Sequence, residues 1–189
     1  ENACILHYNE NNKLLNDGDL LLIDAGCEIH GYASDITRTF PVNGKFSNAQ
    51  KELYEIVLNA QIQAIASIMP GGDVNKPHEI ACEIITRGLM KLGIMNDISN
   101  LREFYMHGTG HWLGLDVHDV GAKEIDNSFR KFEVGMVTTV EPGIYIRKND
   151  KIDPKYWNIG IRIEDDVLVT EDGNHILSEA AIKNVDDIE

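Results

Sequence analysis

Basic residues and long apolar runs are both scarce in this chain. It has 17 lysines and arginines against 31 aspartates and glutamates, a formal net charge of −14. That balance argues against nucleic acid or an anionic membrane as a partner, because both bind through clustered positive charge. No apolar run reaches the roughly 20 residues needed to cross a bilayer. There is also no signal peptide or targeting motif.

Cysteine is scarce as well. Cys4, Cys27 and Cys82 are odd in number and lack the CxxC spacing of zinc sites and redox motifs. We therefore expect reduced thiols in a cytoplasmic protein rather than a disulfide framework. The length of 189 residues, 43% of them hydrophobic, suits a single domain with a substantial core.

Acidic residues are abundant, and a few stand out by their context. Asp24 follows an apolar run at 20–23, and Glu141 follows the β-branched run Val-Thr-Thr-Val at 137–140. A buried carboxylate is costly without a cation or hydrogen-bond donors, so ion pairs, helix caps and metal ligation all remain open. Four carboxylates and one imidazole would balance two divalent cations, and oxygen-rich ligation favours ions such as Mn²⁺. The candidate ligands are Asp24, Asp35, His111, Glu141 and Glu164.

The segment at 20–41 has the pattern of a β-hairpin, with two apolar or β-branched stretches around a glycine-containing centre. Asp24 and Asp35 are equidistant from a turn centred near Ile29 and His30, so they are expected to lie opposite each other. Like charges in that position repel unless a cation lies between them.

Three histidines, His107, His111 and His118, are concentrated in the stretch MHGTGHWLGLDVHDVG at 106–121. On a helix, His107 and His111 would share one face, as in zinc peptidases. Gly108, Gly110 and Gly114 instead favour extended or looping backbone. They also allow close approach of the main chain to a metal or substrate.

The remaining patterns predict the scaffold. A capping pattern at Ser47-x-x-Gln50 and an apolar stripe predict a helix from 47 to about 69, and a second helix is predicted from 77 to 92. Strands are predicted at 20–24, 35–41, 137–146 and 159–170. These elements predict an α+β fold, with helices packed on one face of a mixed, mainly antiparallel sheet.

Five stretches, in order along nearly the whole chain, carry a resemblance to a known family. They are CILHY around His7, LLIDAGCEIHGYASDITRTFPVNGKF at 21–46, MHGTGHWLGLDVHDVG at 106–121, TTVEPGIYI at 138–146 and GIRIEDDVLVT at 160–170. The chain resembles the catalytic domain of the pita-bread metallopeptidases, most closely the aminopeptidases P, which remove an N-terminal residue that precedes proline. The resemblance implies that residues 1–189 are most of a C-terminal catalytic domain, truncated at its N-terminal side.

The resemblance also implies roles for the candidate ligands. Asp24 would chelate one metal ion, Asp35 and Glu164 would bridge two, and His111 with Glu141 would complete the second ion's ligands. A hydroxide bridging two divalent ions, expected to be Mn²⁺, would be the nucleophile. Glu141 would pass a proton to the leaving imino nitrogen.

Other residues are implied to contact the substrate or to orient the ligands. Arg162 and Tyr145 are similar to partners that orient Asp24, with charge neutralisation and simple packing as the alternatives. The implied substrates are peptides with proline at the second position. Three further histidines resemble the family's catalytic, substrate-contacting residues: His7, His107 and His118.

Several alternatives stay open. A prolidase acting on Xaa-Pro dipeptides and a methionine aminopeptidase would use similar ligands, and a non-catalytic pita-bread binding module is a third interpretation. A homo-oligomer is compatible with the full-length protein. Because part of the family's fold precedes the first matching stretch, we expect this chain to bind metal more readily than it turns over peptides.

Overall fold

The computed structural model describes residues 1–189 as an α+β fold of antiparallel strands and a long helical pair. The strands are β1 (Leu20–Ala25), β2 (Glu28–Ile29), β3 (Tyr32–Ala33), β4 (Ile36–Pro41), β5 (Glu124–Ile125), β6 (Ser128–Phe129), β7 (Val137–Val140), β8 (Gly143–Ile146), β9 (Ile159–Arg162), β10 (Asp165–Thr170) and β11 (Gly173–Ile176). The helices are α1 (Asn48–Ala66), α2 (Lys76–Lys91) and the short α3 (Val185–Ile188), with 3₁₀ turns at Asn2–Cys4, Ile98–Glu103 and Pro154–Tyr156. All pairings are antiparallel: β1 with β4, β2 with β3, β5 with β6, β8 with β9, and β10 with both β7 and β11.

Both predicted helices are confirmed. Ser47 caps α1 through a reciprocal capping box, in which the Gln50 backbone N–H donates to the Ser47 hydroxyl and the Ser47 N–H donates to the Gln50 side chain. Helix α1 ends at Ala66, three residues before the predicted end. Helix α2 begins one residue before Pro77 and stops ahead of Gly93, whose φ of 70° ends the helix in the left-handed region.

The predicted hairpin forms, but its predicted register is wrong by two residues. The turn is centred on His30 and Gly31, with φ of 55° and 84°, as a two-residue hairpin turn of the primed type requires. Asp24 therefore lies opposite Thr37 rather than Asp35. Asp35 lies just before β4, diagonal to Asp24 on the same face of the ladder.

The two longest predicted strands are each interrupted at a candidate ligand. The stretch at 137–146 breaks at Glu141 and Pro142, because proline has no N–H to donate to a ladder. The stretch at 159–170 breaks at Ile163 and Glu164. At each break the glutamate N–H donates outside the ladder, from Glu141 to the carbonyl of Thr109 and from Glu164 to that of Thr37.

The main core lies between the helical pair and the β8–β9 ladder. Its fully buried side chains include Leu53 and Val57 of α1, Ile85 of α2, Ile144 of β8 and Ile161 of β9. This packing fixes the β8–β9 ladder, which Glu141 precedes and Glu164 follows along the chain. None of the helices is both long and apolar enough to cross a membrane.

Candidate metal centre

One cleft of about 210 Å³ gathers every candidate ligand and candidate catalytic residue predicted from the sequence. Only one of its lining residues, Leu6, is hydrophobic. The chemistry-bearing residues that line it are His7, Asp24, Asp35, His107, His111, His118, Glu141, Arg162 and Glu164.

Different elements bring the ligands to this cleft. Asp24 lies on β1 and Asp35 precedes β4, so a single hairpin supplies both. Glu141 and Glu164 occupy the breaks between β7 and β8 and between β9 and β10. His111 lies in an irregular loop alongside β7, which confirms that the histidine-rich stretch is not a helix.

Strand β7 holds the loop at 107–111 in place by main-chain and side-chain hydrogen bonds. The Thr139 N–H donates to the carbonyl of His111 at 2.9 Å, and the His111 N–H donates to the Thr139 hydroxyl at 3.1 Å. A Cβ on Gly110 would lie 1.9 Å from the Thr139 carbonyl oxygen. Only glycine fits at position 110, so the sequence folds here with the loop pressed against the strand.

The donor atoms of Asp35, His111 and Glu164 lie within 4.8 Å of one another. An ion about 2.2 Å from each of its donors spans about 4.4 Å between opposite donors, so small rotations would close this triad on a cation. His111 Nδ1 donates to the Trp112 carbonyl at 3.0 Å, which leaves the Nε2 lone pair facing the cleft. Nε2 lies 3.4 Å from Asp35 Oδ2 and 3.7 Å from Glu141 Oε1.

The electrostatics of the cleft also fit a cation. Burial raises the pKa of Glu141 to about 7. Burial, followed by the charges of Glu141 and Asp35, raises the pKa of Glu164 to about 9. Burial disfavours the charged form of His111, but the hydrogen bonds to Asp35 and to the Trp112 carbonyl outweigh it and raise the His111 pKa. Burial, with a smaller effect from neighbouring negative charges, favours the protonated form of Glu141 and Glu164, and divalent ions would replace those protons.

Arg162 connects the carboxylates. Its Nη2 donates to Asp24 Oδ2 at 2.6 Å, and its Nε donates to the Thr37 hydroxyl at 3.3 Å. Thr37 in turn donates to Glu164 Oε2 at 2.7 Å. Tyr145 accepts from Arg162 Nη1 at 3.0 Å, so it reaches Asp24 only through the arginine.

His107 is held at both ring nitrogens. Nδ1 donates to the Gly108 carbonyl at 2.7 Å, and Nε2 accepts from the Tyr145 hydroxyl at 2.8 Å. Burial lowers the pKa of His107 to about 4, so the ring is neutral. The His118 ring meets that of His111 edge to face, with 4.3 Å between centroids.

Known proteins share this sequence and architecture. The model of metallopeptidase family M24 matches residues 1–171. The chain belongs to metallopeptidase family M24. The Xaa-Pro aminopeptidases of Haemophilus influenzae and Escherichia coli are 56% and 51% identical to this M24 chain, and the matches cover all of it but 45% and 44% of those proteins.

Solved structures agree with this M24 assignment. Pseudomonas aeruginosa aminopeptidase PepP superposes with a TM-score of 0.96 at 52% identity, and proline aminopeptidase P II from Yersinia pestis with 0.93 at 51%. Each match covers 99% of this chain and 44% of the solved one. The chain thus spans less than half the length of these relatives. The expected pita-bread α+β fold is confirmed.

Two residues of the M24 cleft were missed from the sequence. Thr37 follows Asp35 by two positions on an extended segment and so faces the same way, a signal that strand periodicity could have revealed. Asp166 accepts a hydrogen bond from the Asp35 N–H at 3.2 Å. Nothing local marks Asp166, because it adjoins the equally acidic Asp165 and lies 131 residues from its partner.

Proposed function

We propose that this chain is the catalytic part of an Xaa-Pro aminopeptidase, which hydrolyses the bond between an N-terminal residue and a following proline. The observation that carries the proposal is the cleft in which Asp35, His111 and Glu164 bring their donor atoms together. The relatives named as Xaa-Pro aminopeptidases support the choice of substrate.

Two divalent ions, which we expect to be Mn²⁺, would be held by oxygen-rich ligation. When bound, they would lower the pKa of the attacking water and stabilise negative charge at the scissile carbonyl. The residues proposed to hold them are Asp24, Asp35, His111, Glu141 and Glu164.

Glu141 is the proposed proton carrier. Hydrolysis before proline expels a secondary amine, which must gain a proton as the C–N bond breaks. The Glu141 carboxyl lies between two histidines, 3.7 Å from His111 Nε2 and 3.9 Å from His107 Nδ1. It is therefore inside the cleft, where a peptide bond would be held.

The substrate would lie against histidines of the cleft. We propose that His107, with His7 and His118, contacts the peptide, while Arg162 keeps Asp24 in place. An apolar groove of about 390 Å³ opens beside Asp24 and Arg162, and nine of its 14 lining residues are hydrophobic. It would accept the side chain of the N-terminal residue.

We also propose a domain organisation and a cellular location for the chain. Residues 1–189 would act as one catalytic domain. All three cysteines are unpaired, which suits a reducing, cytoplasmic location. Association into a homo-oligomer stays a prediction.

The test is mass-spectrometric cleavage of three peptides, an Xaa-Pro-Xaa tripeptide, an Xaa-Pro dipeptide and a Met-Ala peptide, with Mn²⁺ or EDTA. Tripeptide cleavage that needs Mn²⁺ and is lost in Glu141→Ala is the expected result. Cleavage of the dipeptide alone would make the protein a prolidase, and release of Met would make it a methionine aminopeptidase. No cleavage by this chain but cleavage by a longer one would mean that preceding residues complete the site, and metal binding without cleavage in both would favour a binding module.

A further inference from the structure

The loop that joins His107 to His111 has a single side chain between its two histidines. Its sequence is His-Gly-Thr-Gly-His, so Thr109 is flanked by glycines on both sides. Glycine adopts many backbone conformations at little cost, which leaves such a loop without intrinsic stiffness. The contacts of Thr109 therefore add to those of strand β7 in holding the two histidines.

Thr109 faces away from the metal cleft. Gly108 and Gly110 line that cleft in front, whereas Thr109 lines a separate cavity of about 140 Å³ behind the loop. His78 of α2 lines the same rear cavity. The loop thus separates the two cavities. The Thr109 side chain is held on the side that faces away from the metal cleft.

A chain of three hydrogen-bonding groups provides the anchor. The Thr109 hydroxyl lies 2.8 Å from His78 Nδ1 and 2.5 Å from the Tyr105 hydroxyl. Tyr105 has no other side-chain partner, so it donates to Thr109, and Thr109 donates to His78. The Cys82 sulfur lies beside the same ring, 3.5 Å from Nε2 and 3.9 Å from Nδ1.

This anchor connects to the groups of the cleft by two short paths. The Thr109 carbonyl accepts the Glu141 N–H at 2.7 Å. The Tyr105 ring meets the His107 ring edge to face, with 5.0 Å between centroids. Displacement of Thr109 would move both the proposed proton carrier and a proposed substrate-binding histidine.

We propose that His78 is a positioning residue, which acts through Thr109 to hold His107 and Glu141 in their working geometry. The inference rests on the proposed peptidase function. His78 lies outside the cleft and touches none of the candidate ligands. Its role is to accept the Thr109 proton and so fix the one side chain that can stiffen the glycine-rich loop.

The test is hydrogen exchange in the intact chain loaded with Mn²⁺. His78→Leu should speed exchange of the His111 and Glu141 amides about tenfold, because the first belongs to the anchored loop and the second donates to it. His78→Asn keeps a hydrogen-bonding group near the Nδ1 position and should restore protection. Thr86→Val, a buried change two turns further along α2, is the control for general loosening of the helix.

A double-mutant cycle separates positioning from simple stability. Thr109→Val should reproduce the effect of His78→Leu, and the double variant should be no worse than either single one. Additive effects, or wild-type exchange in His78→Leu, would overturn the proposal. The exchange measurement needs no turnover, so it decides this point even if the peptide assay fails. In an active enzyme, His78→Leu should lower kcat about tenfold with metal content unchanged.

Discussion

Thr37 occupies the junction between the arginine and one carboxylate of the cleft. It is fully buried, accepts from Arg162 and donates to Glu164, so its one hydroxyl proton has a fixed direction. A carboxylate oxygen held this way cannot rotate freely, which keeps Glu164 aimed into the cleft. Partners of this kind orient metal ligands and raise the affinity for the ion.

Replacement of Thr37 by valine should therefore weaken metal binding. Valine keeps the shape but removes the proton that Glu164 accepts, and loss of such a partner typically reduces metal affinity about 10- to 100-fold. Calorimetric titration with Mn²⁺ measures the change. Thr37→Ser retains the hydroxyl and should bind close to wild type, and equal affinities for the valine and wild-type proteins would contradict the role.

At the residue scale, local context singled out some carboxylates of the cleft but left their role open. Asp24 ends an apolar run and Glu141 follows a β-branched one, and each pattern can be recognised within ten residues. His78 could not be found, since its partner Thr109 is 31 residues away and an isolated histidine near a helix start carries no signal. Contacts made across the fold are invisible to a local pattern.

Among the elements, the loop at 107–111 and strand β7 act as one unit. Thr139 bonds both the N–H and the carbonyl of His111, and Gly110 lets the two chains touch. His111 is thereby placed by backbone geometry rather than by packing of its ring. An ordinary side chain at 110 would force the loop away from the strand.

A matched pair of glycine substitutions tests this arrangement. Gly110→Ala should abolish tight Mn²⁺ binding, because its Cβ would lie 1.9 Å from a backbone oxygen that cannot move without breaking β7. Gly108→Ala should bind nearly as well as wild type, since the nearest atom to its Cβ is 3.9 Å away. Isothermal titration of both variants measures the difference, and equal affinities would show that the loop is not held by this contact.

The type of each main element was predicted better than the hairpin register and the places where strands break. The helices agree within three residues at each end, because capping and glycine signals act locally. The predicted hairpin register was wrong because the position of the turn depends on a left-handed backbone conformation at His30. Non-glycine residues rarely adopt that conformation, so the sequence gives no sign of it. The strand breaks at Glu141 and Glu164 arise from bonds to Thr109 and Thr37, which belong to other segments.

At the scale of the whole molecule, part of the net charge of −14 comes from carboxylates of the cleft. Burial makes their ionised forms unfavourable when no cation is bound. Burial raises the pKa of Glu141 from 4.5 to about 7 and that of Glu164 from 4.5 to about 9. The metal-free folded state therefore holds protons that the unfolded chain releases near pH 4.5. The contribution of these two groups to its stability is complete below that pH and is lost as the pH rises through 7 toward 9.

EDTA should consequently lower the melting temperature more at pH 8 than at pH 6. At pH 8 Glu141 is ionised in the folded state without a counterion, whereas at pH 6 it is protonated, and bound ions remove this difference. Differential scanning calorimetry with Mn²⁺ or EDTA at both pH values makes the comparison. Glu164→Gln cannot titrate at that position and should reduce the pH dependence. An equal change in melting temperature on EDTA addition at pH 6 and pH 8 would count against a preformed site.

The ligands of the cleft are separated by up to 140 residues along the chain. Asp24 and Asp35 come together as soon as one short hairpin closes, while His111, Glu141 and Glu164 need much longer loops to close. A bound ion would thus act as a late, reversible cross-link between the first hairpin and the later segments that carry His111, Glu141 and Glu164. Metal content would then report on the folding of the entire chain, and the resistance of its distant segments to proteolysis should rise and fall together with metal supply.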